Sequence, residues 1–327
     1  MQGSVKAMLE HSLEYAMNGA GIDLPAARAL ATVSGADLWD LFAAAARVRE
    51  RFRGMTVDIC SIVNAKSGAC SEDCAYCAQS VHHATGAPVY PLIAVDRMVQ
   101  AALSAKQHGA RRFCIVTSGR GIDLTEDLEN IARGVRRIRE TGLAPCATLG
   151  TLTTAQLAFL KDAGLERYHH NIETSKEFFS QICTTHTFEE RLTVLDQARS
   201  VGLSCCSGGI LGMGETMDDR IRMAFTLREI DVDSVPLNFL MPIEGTPLER
   251  TIAITPLEAL HAIALFRFIL PAKEIRVCAG RGTALGRLHP FIFAAGADGF
   301  MIGNYLTTSG LDPVEDLKML RDLGLRY

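Results

Sequence analysis

Residues 57–77 read Val57-Asp58-Ile59-Cys60-Ser61-Ile62-Val63-Asn64-Ala65-Lys66-Ser67-Gly68-Ala69-Cys70-Ser71-Glu72-Asp73-Cys74-Ala75-Tyr76-Cys77. The first seven residues are rich in β-branched side chains and predict a strand. The rest is a Gly-containing loop with cysteines spaced C-x3-C-x2-C. Three thiolates this close can converge on one soft metal centre. On a four-iron cluster, three ligands leave one iron open to bind and activate a small molecule. A structural zinc site would instead offer two separated pairs. No second C-x2-C pair exists, although His82 and His83 follow closely enough to complete a Cys/His site. Disulfides would need an oxidising compartment.

Outward from this stretch the chain alternates. Strands are predicted at 57–63, 112–117, 145–148, 167–171, 203–211, 234–240, 274–278 and 299–302. Helical patterns at 95–107, 125–141, 153–163, 188–200, 217–229, 256–269 and 285–295 fall between them. Gly142, Gly164 and Gly202 sit where helices should end. About eight β/α units without a linker predict an α/β chain with a single (β/α)8 TIM-type barrel at residues 55–327. An open doubly wound sheet is the alternative. Residues 1–54 read as an N-terminal helical extension, because Leu38, Leu41, Phe42, Ala45 and Val48 recur at helical spacing. Asp312-Pro313-Val314-Glu315 has the form of an N-cap, a proline at N1 and an acidic first turn, and predicts a C-terminal helix to about Leu323.

The 327 residues are 48% hydrophobic, carry a net charge of −4 and include ten cysteines. That is ample for a sizeable core, and the charge leaves no nucleic-acid footprint. Residues 1–21 lack a basic segment followed by an apolar run, so no secretory signal is read there. The most apolar segment, 262–272, is interrupted by Arg267 and too short to span a membrane. Ten cysteines without such a signal point to a reducing, cytoplasmic setting and to metal or redox chemistry.

Active sites of barrels lie at the C-terminal ends of the strands. Four predicted strands carry a cysteine there: Cys114, Cys146, Cys206 and Cys278. Arg276 precedes Cys278 by two residues, so both face the same side of their strand and can point into the barrel. One isolated buried cysteine behaves as a small hydrophobe. Four at comparable positions, in a chain that already holds a cluster loop, read as ligands of a second, buried iron–sulfur site. Cys60, Cys183 and Cys205 read as structural thiols, with Cys205 facing away from its neighbour Cys206.

The loop spacing, with Tyr76 just before the third cysteine, resembles the cluster motif of radical S-adenosylmethionine (radical SAM) enzymes. The wider chain resembles the biotin synthase family. The resemblance rests on Arg112-Phe113-Cys114, Cys146-Ala147-Thr148-Leu149-Gly150, Tyr168-His169-His170-Asn171-Ile172-Glu173-Thr174-Ser175, Cys206-Ser207-Gly208-Gly209-Ile210, Gly212-Met213-Gly214-Glu215-Thr216, Ser234-Val235-Pro236-Leu237-Asn238 and Ala279-Gly280-Arg281. It implies a 4Fe-4S cluster on Cys70, Cys74 and Cys77 whose open iron chelates S-adenosylmethionine. One electron then yields a 5′-deoxyadenosyl radical, which takes hydrogen from dethiobiotin at C9 and then C6. Sulfur from an auxiliary cluster closes the thiophane ring of biotin.

The resemblance also implies residue roles. Tyr76 packs near the adenine, and the backbone of Thr117-Ser118-Gly119 approaches the methionine end of the cofactor. Glu173 holds the ribose hydroxyls and Arg191 the cofactor carboxylate. Asn171 and Asn238 contact substrate, with Asn171 near the cofactor as well. A homodimer and a flavodoxin or ferredoxin-type electron donor are expected by the same resemblance.

Two departures stand out. The usual family pattern is Tyr-Asn-His-Asn-Leu-Asp-Thr-Ser, whereas this chain has His169 for the first Asn and Glu173 for Asp. His169 either replaces an amide near substrate or cofactor, or packs as a neutral imidazole. Many family members carry Ser or Gly where this chain has Cys278, with the arginine two positions earlier completing a 2Fe-2S site beside three cysteines. Here Arg276 and Cys278 are both present. A thiolate is a softer iron ligand than a guanidinium, which is normally protonated. Cys114, Cys146, Cys206 and Cys278 therefore raise the expectation of a four-iron auxiliary cluster in place of 2Fe-2S. Other radical SAM barrels, such as the hydrogenase maturases and methylornithine synthase, would account for the first cluster and the barrel. They leave the strand cysteines and Val235-Pro236-Leu237-Asn238 unexplained. A non-catalytic iron–sulfur carrier or zinc scaffold would have no need of Glu173, Arg191 and Asn238.

Overall fold

The computed structural model describes residues 2–122 and 124–327. The strands are β1 (Asp58–Lys66), β2 (Arg112–Thr117), β3 (Ala144–Thr148), β4 (Arg167–His169), β5 (Ser204–Cys206), β6 (Gly209–Leu211), β7 (Ser234–Phe239), β8 (Glu274–Val277) and β9 (Gly299–Met301). They hydrogen-bond in the order β5-β4-β3-β2-β1-β9-β8-β7-β6, and β5 also pairs with β7. Every ladder is parallel. Cys206 of β5 pairs with Ser234 at the start of β7, and Gly209–Leu211 pairs with Leu237–Phe239. β5 and β6 are thus two halves of one barrel strand, and the sheet closes on eight. This is the (β/α)8 barrel rather than the open sheet.

The single strand expected at 203–211 is broken for a steric reason. A Cβ on Gly208 would lie 2.0 Å from the Pro236 carbonyl oxygen. Without that side chain the backbone leaves the ladder at 207–208 and presses against β7. The Gly208 N–H then points to the Asn171 side chain, at 3.1 Å.

The helices are α1 (Gln2–Met17), α2 (Leu24–Leu30), α3 (Ala36–Arg53), α4 (Val95–Gln107), α5 (Thr125–Glu140), α6 (Thr154–Asp162), α7 (Lys176–Phe179), α8 (Phe188–Ser200), α9 (Met217–Glu229), α10 (Pro256–Ile269), α11 (Arg281–Leu285) and α12 (Pro313–Asp322). Threonine capping boxes start four of them: Thr153 with Gln156, Thr187 with Glu190, Thr216 with Asp219 and Thr255 with Glu258. Each satisfies end N–H groups of its helix as the chain returns from the loop face. α12 begins as expected, with the Asp312 carboxylate accepting from the Val314 N–H.

α10 is buried on every side. The reason is that α1, α2 and α3 lie over its outer face, so it can be apolar all round. Its Arg267 is fully buried, donates to the Gly296 carbonyl at 2.7 Å and pairs with Asp298. Arg53 of α3 reaches the same carboxylate at 2.9 Å, which fixes the helical extension to the bottom of the barrel. One expected helix, 285–295, does not form. Gly286 adopts φ +50° and ends α11, and Pro290 lies in a 3-10 turn over Gly286–Ile292. A residue with left-handed φ and a proline without an N–H both stop α-helical propagation.

Candidate active site

The barrel interior opens at the C-terminal ends of its strands into a cavity of about 410 Å³. Alternation along each strand decides what lines it. Cys60 and Ile62 of β1, Arg112, Cys114 and Val116 of β2, Cys146 and Thr148 of β3, and Arg167 and His169 of β4 all face inward. Cys206, Pro236, Asn238, Arg276 and Cys278 complete the wall. Cys205 faces outward, its thiol toward the Leu195 carbonyl of α8.

The cysteine loop forms one end of this cavity, with Cys70, Cys74, Tyr76 and Cys77 on its surface. It is pinned from several directions. The Gln79 side chain accepts from the Ser67 hydroxyl at 3.0 Å and from the Gly68 N–H at 3.1 Å. The Cys70 N–H donates to the Gln79 carbonyl, and Ser118 donates its hydroxyl to the Gly68 carbonyl at 2.6 Å. That last bond ties the Thr117-Ser118-Gly119 turn to the loop. His82 and His83 do not complete a zinc site; they bond the carbonyls of Ser71 and Cys74 at 3.0 and 3.1 Å. Burial raises the Cys77 thiol to about 11. Three thiols on a fixed loop suit a soft iron–sulfur group, which holds them as thiolates.

Deeper in the barrel the second set of thiols assembles. Cys114 and Cys146 are direct ladder partners, and Cys206 lies opposite His169. Cys114 and Cys146 are mid-strand rather than at strand ends, so this set lies below the cysteine loop. The neighbouring Cys114 sulfur holds Cys146 below the ordinary thiol value against the opposing effect of burial, which raises Cys114 itself. Burial raises Cys206 to about 12. Cys278 does not stand alone beside Arg276. It lies beside Cys60, and this neighbour, helped by the Arg276 charge, holds Cys60 below the ordinary thiol value against burial. Cys60, expected to be structural, is therefore part of the cavity wall.

Three guanidinium groups surround these thiols. Arg167 forks onto Glu274 at 2.6 and 3.3 Å. Arg276 donates to Ser234 at 2.9 Å and to Asp58 and Glu274 at 2.7 Å each. Burial alone would raise Glu274, but the two arginines hold it well below the usual carboxylate range. Nη1 of Arg276, and Nε and Nη1 of Arg112, are buried without a hydrogen-bond partner among the described residues, the nearest carboxylate to Arg112 Nη1 being Glu166 at 4.0 Å. Orphaned cationic donors beside three to five thiols suit an anionic iron–sulfur group, whose sulfurs accept hydrogen bonds.

A directed hydrogen-bond chain leads from this set toward the loop. The Asn171 Oδ1 accepts from the Gly208 N–H, so it also accepts from His169 Nε2, at 2.9 Å. The His169 proton is then on Nε2, and Nδ1 accepts the Thr148 hydroxyl at 2.8 Å. With its proton so placed, Thr148 accepts from the Cys114 thiol at 3.4 Å. Onward, the Asn171 amide nitrogen donates to Glu173 at 3.3 Å. Burial depresses His169 to about 4, so the imidazole is neutral. Arg191 donates to the Asn171 carbonyl at 2.8 Å, to Glu173 at 3.4 Å and to His186 Nε2 at 3.0 Å. Glu173 adopts φ +70°, unusual outside glycine, and is held there by backbone bonds to Gly208 and Ile210. Strain of this kind clusters at functional sites. Asn238 lines the cavity with both ends of its amide bonded to backbone, at Gly209 and Ala279.

The radical SAM superfamily domain matches residues 65–227, and the biotin and thiamin synthesis associated domain matches residues 236–326. The biotin synthase of Geobacter metallireducens is 54% identical over 298 residues, covering 91% of each chain. That of Geotalea daltonii is 52% identical over 322 residues, covering 98% of each. Among solved structures, methylornithine synthase (PylB) superposes with a TM-score of 0.84 over 96% of each chain at 19% identity. The hydrogenase maturase HydG from Carboxydothermus hydrogenoformans gives 0.80 at 16% identity, covering 98% of this chain and 79% of that one. Those two likenesses are of fold alone. With about half of its residues shared along nearly the whole length of curated relatives, the chain belongs to the biotin synthase family of radical SAM enzymes.

Proposed function

We propose that this chain converts dethiobiotin to biotin with a division of labour along one cavity, the cysteine loop above and the barrel thiols below. The observation that carries the proposal is the pairing of these two thiol sets in a single cavity. Bound at Cys70, Cys74 and Cys77, a 4Fe-4S cluster with S-adenosylmethionine would supply a 5′-deoxyadenosyl radical, and an auxiliary cluster on Cys114, Cys146 and Cys206 would supply the sulfur. Arg276 through its free Nη1, or Cys278, would complete the auxiliary set.

The chain's own residues bind, orient and shield. Glu173 presents a carboxylate suited to a ribose diol, and Arg191, fixed by Asn171 and His186, presents a guanidinium suited to a carboxylate. Tyr76 offers an apolar face to an adenine. Asn171 and Asn238 line the same cavity as both thiol sets, where a ureido ring would meet amides. His169 acts on that space through Asn171 and Thr148 as a neutral imidazole. Residues 1–54 serve as a helical extension that braces the barrel of residues 55–327.

Ten free cysteines suit a reducing, cytoplasmic setting. No helix among the described residues is long and apolar enough to cross a membrane. By analogy with the family, a flavodoxin or ferredoxin-type protein would supply electrons, and the working form would be a homodimer. Mössbauer spectroscopy with iron and sulfide analysis of a Cys70→Ala/Cys74→Ala/Cys77→Ala variant tests the auxiliary site. Iron–sulfur signal surviving in that variant is expected, and four irons per chain would favour Cys278 as a ligand. Loss of all cluster iron would remove the auxiliary site from the account.

A further inference from the structure

Cys183 has no part in the account above, yet it lies against the cysteine loop. Past α7 the chain folds residues 182–187 onto that loop. Asp73 accepts from the backbone N–H groups of Thr184 and Thr185 at 2.9 and 3.2 Å. The Ala75 N–H donates to the Ile182 carbonyl at 2.8 Å. Glu72 accepts from the Thr185 hydroxyl at 2.8 Å and pairs with His186. Fixed this way, the Cys183 sulfur lies 3.8 Å from the Cys74 sulfur and 3.3 Å from His186 Nδ1.

These three donors all lie within 4.8 Å of one another. Tetrahedral zinc-type geometry, with metal–sulfur bonds of about 2.3 Å and metal–nitrogen bonds of about 2.0–2.1 Å, requires sulfur–sulfur and sulfur–nitrogen separations of about 3.8 and 3.6 Å. The Cys74–Cys183 spacing of 3.8 Å is that of a single ion, the Cys183–His186 spacing of 3.3 Å is slightly short of it, and Cys74 and His186 lie within 4.8 Å, so a small side-chain adjustment brings all three onto one ion. Cys74 and His186 both line the cavity, which gives an ion a path in. We propose that the cluster-free chain holds one soft divalent cation, ferrous iron or zinc, on Cys74, Cys183 and His186, with the fourth position left to solvent.

Two consequences follow from chemistry. An ion on Nδ1 displaces Glu72 and puts the imidazole proton on Nε2, so His186 no longer accepts from Arg191. Cys74 is shared, so the ion and the loop cluster exclude each other there. The second consequence rests on the assignment of Cys74 to that cluster; the binding itself does not.

Cobalt(II) titration of the full-length, cluster-free chain under anaerobic conditions tests the site. Tetrahedral thiolate ligation gives a near-ultraviolet charge-transfer band and intense visible d–d bands. A one-equivalent component with these bands is expected in the wild type and in Cys70→Ala/Cys77→Ala. It should vanish in Cys74→Ala and in both Cys183→Ala and Cys183→Ser, and weaken by about tenfold or more in His186→Ala. Far-ultraviolet circular dichroism identifies any variant that does not fold, and the two Cys183 variants back each other. An unchanged cobalt spectrum in folded Cys183→Ser overturns the proposal. So does loss of the component in Cys70→Ala/Cys77→Ala, which would put the ion on the three loop cysteines.

Discussion

Replacing His169 by Asn, the residue usual in the family, should flatten the acid sensitivity of this fold by a calculable amount. Burial depresses His169 from 6.5 to about 4. As pH falls below 6.5, the unfolded chain takes up a proton on this side chain, and the folded chain does not until about 4. The neutral imidazole therefore supports the fold fully above 6.5, and that support is lost between 6.5 and 4. Linkage puts the loss at about 2 kcal/mol by about pH 5. His169 is only partly buried against the cavity, and screening there reduces the figure to about 1–2 kcal/mol. Urea unfolding of the cluster-free chain, at about pH 8 and about pH 5, reads this directly. The other histidines cancel when wild type and His169→Asn are compared. The wild type should lose about 1–2 kcal/mol more stability than the variant over that interval. Equal losses would mean that folded His169 takes up a proton, and the directed chain from Cys114 through Thr148 to Asn171 would be wrong.

Glu173→Gln removes the charge facing Arg191 and should raise the KM for S-adenosylmethionine by about 10–100-fold, the range for a hydrogen bond to a charged group; an unchanged KM would take Glu173 out of cofactor binding. Gly208→Ala forces a methyl against the Pro236 carbonyl and moves the N–H that orients Asn171. It should cost about 3 kcal/mol or more in thermal or urea unfolding, with activity falling further. A tolerated alanine would mean that β5 and β6 can separate from β7 freely. Arg276→Lys abandons the fork between Ser234, Asp58 and Glu274. The cluster-free chain should be destabilised by about 2–3 kcal/mol, and urea unfolding no weaker than that of the wild type would contradict this reading of the barrel floor.

Much of the architecture was legible because its determinants are local. β-branched runs marked the strands, and threonine caps, helix-ending glycines and Asp312-Pro313 marked the helix limits. The strand break at Gly208 was not legible, since the crowding carbonyl belongs to Pro236 on another strand. The helix expected at 285–295 failed on signals that were present, Gly286 and Pro290, but outweighed by the apolar pattern around them. At the site, the loop cysteines and the inward set could be named from spacing and parity. Parity also held a clue to Cys60: it precedes Ile62 by two residues, and Ile62 is the ladder partner of Cys114. Cys183 and His186 carry only a C-x2-H spacing, and their approach to Cys74 depends on a loop crossing that no local pattern encodes. The direction of each hydrogen bond through His169 depends on cross-strand register and on Gly208, so it emerges only from the assembled barrel.

Sulfur tracing shows whether the barrel thiols hold the sulfur that enters the product. The auxiliary site of the Cys70/Cys74/Cys77-intact chain would be reconstituted anaerobically with 34S-sulfide, freed of excess sulfide, and given S-adenosylmethionine, dethiobiotin and a strong reductant. Mass spectrometry would follow the products of a single turnover. Expected are 5′-deoxyadenosine together with biotin that carries the 34S label, and no biotin from Cys146→Ser. Unlabelled biotin, or labelled biotin still formed by Cys146→Ser, would contradict the barrel thiols as the holders of the sulfur.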